Sequence, residues 1–408
     1  MRTANADMKI LVVGAGFSGI VQCLLLDKLG FTDVTLLEKK SKLEVHGTPI
    51  VLAGVGRHVL ESLLGINNIL KEGETFEVKK LSIYSALDNS LIKESDIDWP
   101  DKEHLSLLME RQHLLNLLLP ALKKTKVKLR LGSTLKQIQS DNDAVTVDIN
   151  NQQETYDLLI DAGGFNSTVR NLVLGEKDFR ENRMMWVVMG RLPLPDNNIL
   201  AALADRLAVV YFSSTQESGA IIFTHANKKE QAKIQEATDE TKKAYLLEKL
   251  ERANVHPSYI DMVKSCPPIF TMSEQTIVLP HAYNKRVVFI GDAEHGLSPF
   301  TGMGTSLAFG DCVVLADSLA TASNKNRSIS QALLQYEQMR IGRISQVRHI
   351  AEKINKLVFK KIPFFNFILR RLSKKIPGSK LQGLTRQLYH DKKTLDYYKD
   401  FEIRHLLR

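Results

Sequence analysis

Short, wholly apolar runs alternate along the chain with longer stretches of helical periodicity, the texture of strands buried on both faces and covered by helices. Lys9–Val13 is apolar and β-branched and predicts a strand. A helical pattern carrying Ile20, Cys23 and Leu24 follows and stops at Gly30, and Val34–Leu37 predicts a second buried strand closed by Glu38. That unit has the size of a βαβ module. Beyond it, Val51–Leu64 predicts a helix ending at Gly65, Lys79–Ser85 and Leu91–Lys93 predict strands around an Asp88-Asn89 turn, and Glu110–Leu122 predicts an apolar helix. Lys126–Leu131, Ala144–Ile149 and Leu158–Ile160 predict further strands.

The texture changes between about Phe179 and Pro280. Met185–Arg191, Ala208–Ser213 and Ala220–His225 predict strands, the last two joined by a polar turn, and one long charged helix is predicted from Lys228 to about Ala253. Arg286–Ile290 then restores the compact buried strand of the opening, with a helix after Gly304 running to about Thr321. A late return to the early texture implies one domain inserted into another. The predicted fold class is α/β, a Rossmann-like domain with an inserted mixed-sheet domain and a helical C-terminal tail. The discontinuous domain takes residues 8–78, 105–178 and 281–340, the inserted one 79–104 and 179–280, and the tail 341–408.

Composition changes this picture in two places. With 44% hydrophobic and 25% charged residues in 408, the chain is globular, and its three scattered cysteines exclude a disulfide framework and point to a reducing compartment. The N-terminal residues lack the apolar core of a signal peptide, so a cytoplasmic protein is expected. The net charge of +9 is unevenly placed: residues 340–408 carry 18 Lys/Arg against 5 Asp/Glu, while the remaining 339 residues are at −4. In the tail, Lys360-Lys361, Arg370-Arg371 and Lys374-Lys375 flank the apolar run Ile362–Leu369, which is too short to span a bilayer. Such a segment suits either a helical cap on the body or peripheral contact with acidic headgroups. No base-stacking or groove-reading module accompanies the charge, so no nucleic-acid partner is expected.

The candidate chemistry begins at Gly14-Ala-Gly16-Phe-Ser-Gly19, between the first strand and its helix. Gly14 permits a tight turn, Gly16 lets a pyrophosphate approach the backbone, and Gly19 allows close helix–strand packing, while the helix N-terminus offers free N–H groups. Glu38, at the end of the second strand, suits two hydrogen bonds from ribose hydroxyls. On these residues alone the dinucleotide is either NAD or FAD.

The late segment Arg286-Val-Val-Phe-Ile-Gly291-Asp292-Ala-Glu-His295, followed by Pro299, Gly302-Met-Gly304 and a helix with Ala308 and Asp311, resembles the second FAD motif of the class A flavoprotein monooxygenases, the p-hydroxybenzoate hydroxylase-like family. Arg111 matches that family's FAD-contacting arginine. The resemblance implies FAD held by Gly14, Gly16, Gly19, Glu38, Arg111, Asp292, Gly302 and Gly304, and NAD(P)H as reductant. It also implies that dioxygen, activated as a flavin C4a-hydroperoxide, hydroxylates an organic substrate. Three residues depart from the pattern. Gly163 stands where the family's middle motif is acidic, with Asp161 where glycine is common, and Glu294 replaces an alanine.

No Ser/His/Asp constellation, metal-ligand cluster or nucleophilic cysteine stands out, and His295 is expected to have a structural hydrogen-bonding role. The substrate is expected between the flavin and the inserted sheet, with Tyr211, His225 and Pro299 as pocket candidates and an aromatic or lipophilic small molecule as its class. Two alternatives remain open: an oxidase, reductase or halogenase of the same fold, and a non-catalytic flavin-binding protein. A halogenase is disfavoured, because Trp99 and Trp186 are the only tryptophans and the W-x-W-x-I-P motif is absent.

Overall fold

The computed structural model describes residues 4–45, 48–66, 69–72, 75–96, 105–195, 199–213, 218–267, 269–359, 383, 386–389 and 392–405. The first large sheet has six strands in the order Tyr283–Asn284, Val287–Phe289, Leu158–Asp161, Lys9–Val13, Asp33–Leu37, Lys128–Arg130. All neighbours run parallel except the edge pair at Tyr283–Asn284. Strand alternation sorts its side chains onto two cores. Ile10, Val12, Leu158, Ile160, Val288 and Ile290 pack beneath the helices Phe17–Lys28, Arg111–Leu122 and Gly304–Asn324. Leu11, Leu159, Val287 and Phe289 meet a three-stranded antiparallel sheet through Val145, Val147 and Ile149. Both faces are apolar, so these strands show no polar alternation in sequence.

The second large sheet has seven strands, ordered Phe270–Gln275, Arg180–Met189, Ser218–His225, Leu207–Ser213, Ile199–Ala204, Lys80–Ser85, Leu91–Asp96. Only the pairing of Ile199–Ala204 with Lys80–Ser85 is parallel. The hairpin at residues 80–96 therefore shares a sheet with strands more than a hundred residues later. One face is covered by the helices Lys228–Gln235, Asp239–Arg252 and Pro257–Ser265; the other faces the first domain. A small antiparallel sheet, Ile50–Leu52, Ser106–Met109 and Thr75–Val78, lies at that junction.

Three of the expected elements are redrawn in the structure. The helix expected over Val51–Leu64 begins at Gly54, because Ile50–Leu52 pairs with Ser106–Met109 as a strand. The helix expected from Lys228 to Ala253 is two helices, since the Thr238 hydroxyl accepts the Thr241 N–H and starts a new one. The tail does not begin at a break. Ile329–Phe359 is a single helix through residue 340, and Lys392–His405 packs Leu395, Tyr398 and Phe401 into the first domain's core.

Several of the tail's charges also point inward. Arg340 is buried and donates to Asp311 Oδ1 at 2.8 Å and the Leu307 carbonyl at 2.9 Å. Arg404 pairs with Asp317 at 2.8 Å, and Arg343 donates to the Gln387 carbonyl at 3.0 Å. The run Ile362–Leu369 and its flanking basic pairs lie outside the described residues. Gly304–Asn324 is long and apolar enough to cross a membrane, and 89% of that apolar window is buried inside the fold, as befits a core helix.

Candidate active site

A cavity of about 430 Å³ lies between the two large sheets. At one end are Gly16, Thr48, Arg111, Asp292, Gly302 and Gly304; at the other are Met185, Val210, Phe212, Ile221 and Met272 of the seven-stranded sheet, with Leu297 and Pro299 between. Its volume is that of an ordinary small-molecule site.

The glycine turn is built by close approach. Gly14 has φ +104°, and a Cβ there would lie 2.5 Å from the Ala162 carbonyl oxygen; one on Gly19 would lie 1.9 Å from the Gly14 oxygen. Gly16 is the opposite case, with nothing within 4 Å of an added Cβ: its missing side chain leaves open cavity. The Glu38 carboxylate braces this turn, accepting the Ala15 and Lys40 N–H groups, both at 2.9 Å. Gly14, Gly19 and Glu38 are thus outside the cavity lining and hold Gly16 in place within it.

Arg111 opens its helix at the cavity wall and donates Nε to the Thr48 carbonyl at 2.9 Å. Burial lowers its pKa, and the nearby Asp292 charge opposes that shift. Asp292 faces the cavity but is shielded from bulk water, which raises its carboxyl above the usual range. No hydrogen bond from the described residues satisfies it. On one wall the Asp292 carboxylate can accept from hydroxyl groups, while the Arg111 guanidinium and the N–H groups of the open glycine turn can donate to phosphate oxygens. These residues fit FAD.

Behind Asp292 runs a buried polar chain. His295 Nε2 donates to Asp311 Oδ2 at 2.5 Å; the same oxygen accepts the Gly291 N–H at 2.9 Å, and Arg340 holds Oδ1. Burial pulls the His295 pKa down, but Asp311 overrides it and holds it at about 9. Glu294, the residue that replaces alanine, accepts the Tyr336 hydroxyl at 2.7 Å, and burial raises its pKa to about 7. Asp311, His295 and Arg340 tie the Gly291–Asp292 turn to the long C-terminal helix, the structural role expected of His295.

The altered middle motif has a geometric explanation. A Cβ on Gly163 would lie 2.9 Å from Asp161 Oδ1, so the Asp161 carboxylate fills the space an acidic side chain at 163 would need. There it accepts the Gly163 N–H at 2.9 Å and the Ser167 hydroxyl at 2.5 Å, while Ser167 caps the next helix by accepting the Arg170 N–H. Burial raises its pKa to about 6.

Among the pocket candidates, Pro299 lines the cavity and Tyr211 and His225 do not. Tyr211 points to the helix-covered face of its strand, fully buried, its hydroxyl accepting the Leu192 N–H at 3.3 Å. The cavity face of that strand is Val210 and Phe212. His225 ends its strand opposite Arg183, beyond the lining, where burial lowers its pKa and the charge of Arg206 adds to that. Pattern reading missed Met185, Val210, Phe212, Met272 and Glu274. On Leu207–Ser213 both faces are apolar, and only the choice of covering helices decides which is which.

The chain matches the FAD-binding-domain family over residues 7–351. It therefore belongs to that family, the class A flavoprotein monooxygenases, and its cofactor is FAD. It is 23% identical over 392 residues to the 2-heptyl-3-hydroxy-4(1H)-quinolone synthase of Pseudomonas aeruginosa, covering 94% of this chain and 98% of that protein. Among solved structures, HpxO of Klebsiella pneumoniae complexed with FAD and uric acid shares 19% identity with a TM-score of 0.78, covering 93% of this chain and 96% of its own. PqsL of P. aeruginosa in complex with 2-aminobenzoylacetate shares 18% identity with a TM-score of 0.72, covering 87% and 97% respectively.

Proposed function

We propose that this protein hydroxylates an aromatic or lipophilic small molecule with dioxygen, using FAD and NAD(P)H. The observation that carries this reading is one continuous cavity, walled at one end by Arg111, Asp292 and an open glycine turn and at the other by an apolar sheet face. Reduced FAD supplies the electrons that activate dioxygen. Gly14, Gly16 and Gly19 would present the N-terminus of Phe17–Lys28 to the pyrophosphate, and Glu38, with acceptor capacity left after its two backbone bonds, would take ribose hydroxyls. Arg111 would lie against the cofactor, Asp292 would accept a ribityl hydroxyl, and Gly302 and Gly304 would bring backbone N–H groups to the flavin. Phe212, Ile221, Met185 and Met272 would orient the substrate and exclude water from the reacting oxygen. The relative named as a 2-heptyl-3-hydroxy-4(1H)-quinolone synthase, whose named product is a hydroxylated quinolone, supports a substrate of this class.

The test is a screen of aromatic compounds for stimulated NADH or NADPH oxidation, scored by product mass. A product heavier by one oxygen is expected. Peroxide with unchanged compound would instead identify an oxidase, and no reduction by either nicotinamide would point to another donor at the Asp161-altered motif. The limits given from sequence for the discontinuous FAD-binding domain and the inserted domain are carried forward as part of this proposal. Peripheral membrane contact through the basic pairs of the tail is proposed on its charge alone; liposome co-sedimentation unchanged by neutralising those pairs would remove it.

A further inference from the structure

Among the described residues, the charged side chains at the substrate end of the cavity are paired with one another. Among the described residues lining the cavity, Arg111 is the only cationic side chain, and it belongs to the opposite end, engaged with the Thr48 carbonyl beside Asp292. The guanidinium on the cavity face of the substrate sheet is Arg183, two residues before the lining residue Met185. It is buried and bound through two nitrogens to Glu274, Nε to Oε2 at 2.5 Å and Nη2 to Oε1 at 3.2 Å. Its outer face is covered by Phe359 at the end of the long C-terminal helix, 4.9 Å from the ring centre. Glu274, which does line the cavity, has both oxygens held by Arg183 and is 3% exposed.

From this arrangement we infer that the compound taken by the apolar end of the cavity is uncharged, a flat aromatic or heteroaromatic molecule with no carboxylate, phosphate or ammonium group. The inference rests on the monooxygenase reading for the identity of that end as the substrate site. A carboxylate entering between Phe212, Ile221 and Met272 would lose its hydration with no free cation among the described residues at that end to meet it, and an ammonium would find no free anion there, Asp292 lying at the opposite end. To capture either, the Arg183–Glu274 pair would have to open, leaving one charge buried and unpaired. The pair is thus a specificity device, neutral as a whole and closed to ions of either sign. Phe359 makes the C-terminal helix part of it by packing over Arg183.

The test measures binding to the FAD-loaded protein by calorimetry, so that no turnover is required, with size-matched sets such as naphthol, naphthoic acid and naphthylmethylamine and the corresponding quinoline and indole sets. The neutral member of a set is expected to bind at least about tenfold more tightly than either ion. Glu274→Gln leaves Arg183 with only the partly exposed Glu181 at 3.8 Å, and is expected to raise naphthoate affinity about tenfold while moving naphthol by less than about twofold. Should that variant fold poorly, Arg183→Leu combined with Glu274→Leu removes the pair without leaving a charge, and is expected to keep the neutral preference. Acids or amines binding as tightly as their neutral partners in the unaltered protein, or no neutral member binding at all, would overturn the inference. Neutral compounds that bind but are never oxygenated would instead refute the monooxygenase reading and leave the uncharged-ligand inference standing.

Discussion

The two ends of the cavity are built on opposite principles. At the end proposed for the cofactor, the site is built from backbone: a turn that needs glycine at Gly14 and Gly19, a brace from Glu38, and a strand end where Asp292 faces the cavity. At the end proposed for the substrate it is built from side chains of a sheet, whose backbone is ordinary and whose surface is apolar. Backbone approach demands particular residue types at fixed spacing, whereas an apolar surface accepts many. The first end should therefore be brittle and the second tunable.

The largest effect expected is at Gly16. Because nothing of the protein lies within 4 Å of an added Cβ, Gly16→Leu should fold normally, and yet fill the space a cofactor needs. Loss of at least about 3 kcal/mol of FAD affinity is expected, roughly a hundredfold, with an unchanged circular dichroism spectrum. Bound flavin at the unaltered level in that variant would place the cofactor elsewhere. By contrast, Ile221→Ala should keep its flavin, raise the substrate KM about tenfold, and lower stability by about 2 kcal/mol, read by steady-state kinetics and denaturant titration. If it instead lost flavin, the division between the ends would fail.

A third prediction concerns Glu294, buried behind the cofactor wall. Its folded pKa, near 7, is raised above the unfolded value by burial, so folding takes up a proton between about 4.5 and 7. Its contribution is fully present below that window and is lost as pH rises through it. Compared with Glu294→Gln, the unaltered protein should lose thermal stability between pH 5 and pH 8, by about 1–3 kcal/mol. Parallel melting curves for the two proteins across that range would contradict the buried, proton-linked role. The smallest effect is expected at Tyr211: Tyr211→Phe removes one hydrogen bond to the Leu192 N–H, costs about 1 kcal/mol, and should leave KM untouched.

The same contrast explains what could be read from the chain alone. The turn at Gly14, Gly16 and Gly19 was legible because each glycine answers a local geometric demand at a fixed spacing, whereas Arg111, Asp292, Gly302 and Gly304 were singled out through the family resemblance; of the seven, all but Gly14 and Gly19 line the cavity. The face of Leu207–Ser213 was not, since Val209 and Tyr211 on one side are as apolar as Val210 and Phe212 on the other. Residue Thr238, followed by Asp239 and Glu240, carried a legible helix start inside what the charge pattern presents as one helix. The tail misleads for a different reason. Its net charge is visible in sequence, but the inward pairing of Arg340 with Asp311 and Arg404 with Asp317 depends on partners far from them along the chain. Likewise, Asp161 looks misplaced in sequence, and only the folded turn shows its carboxylate reaching the space beside Gly163.

The most direct test of the central claim removes the question of the natural electron donor. The FAD-loaded protein, chemically reduced without oxygen and holding a bound neutral aromatic, is mixed with isotopically labelled dioxygen, and the product is analysed by mass spectrometry. One labelled oxygen atom in the product is predicted. Unlabelled product, or all of the oxygen recovered as peroxide with the aromatic unchanged across every compound that binds, would contradict the assignment of the apolar sheet face as a hydroxylation site.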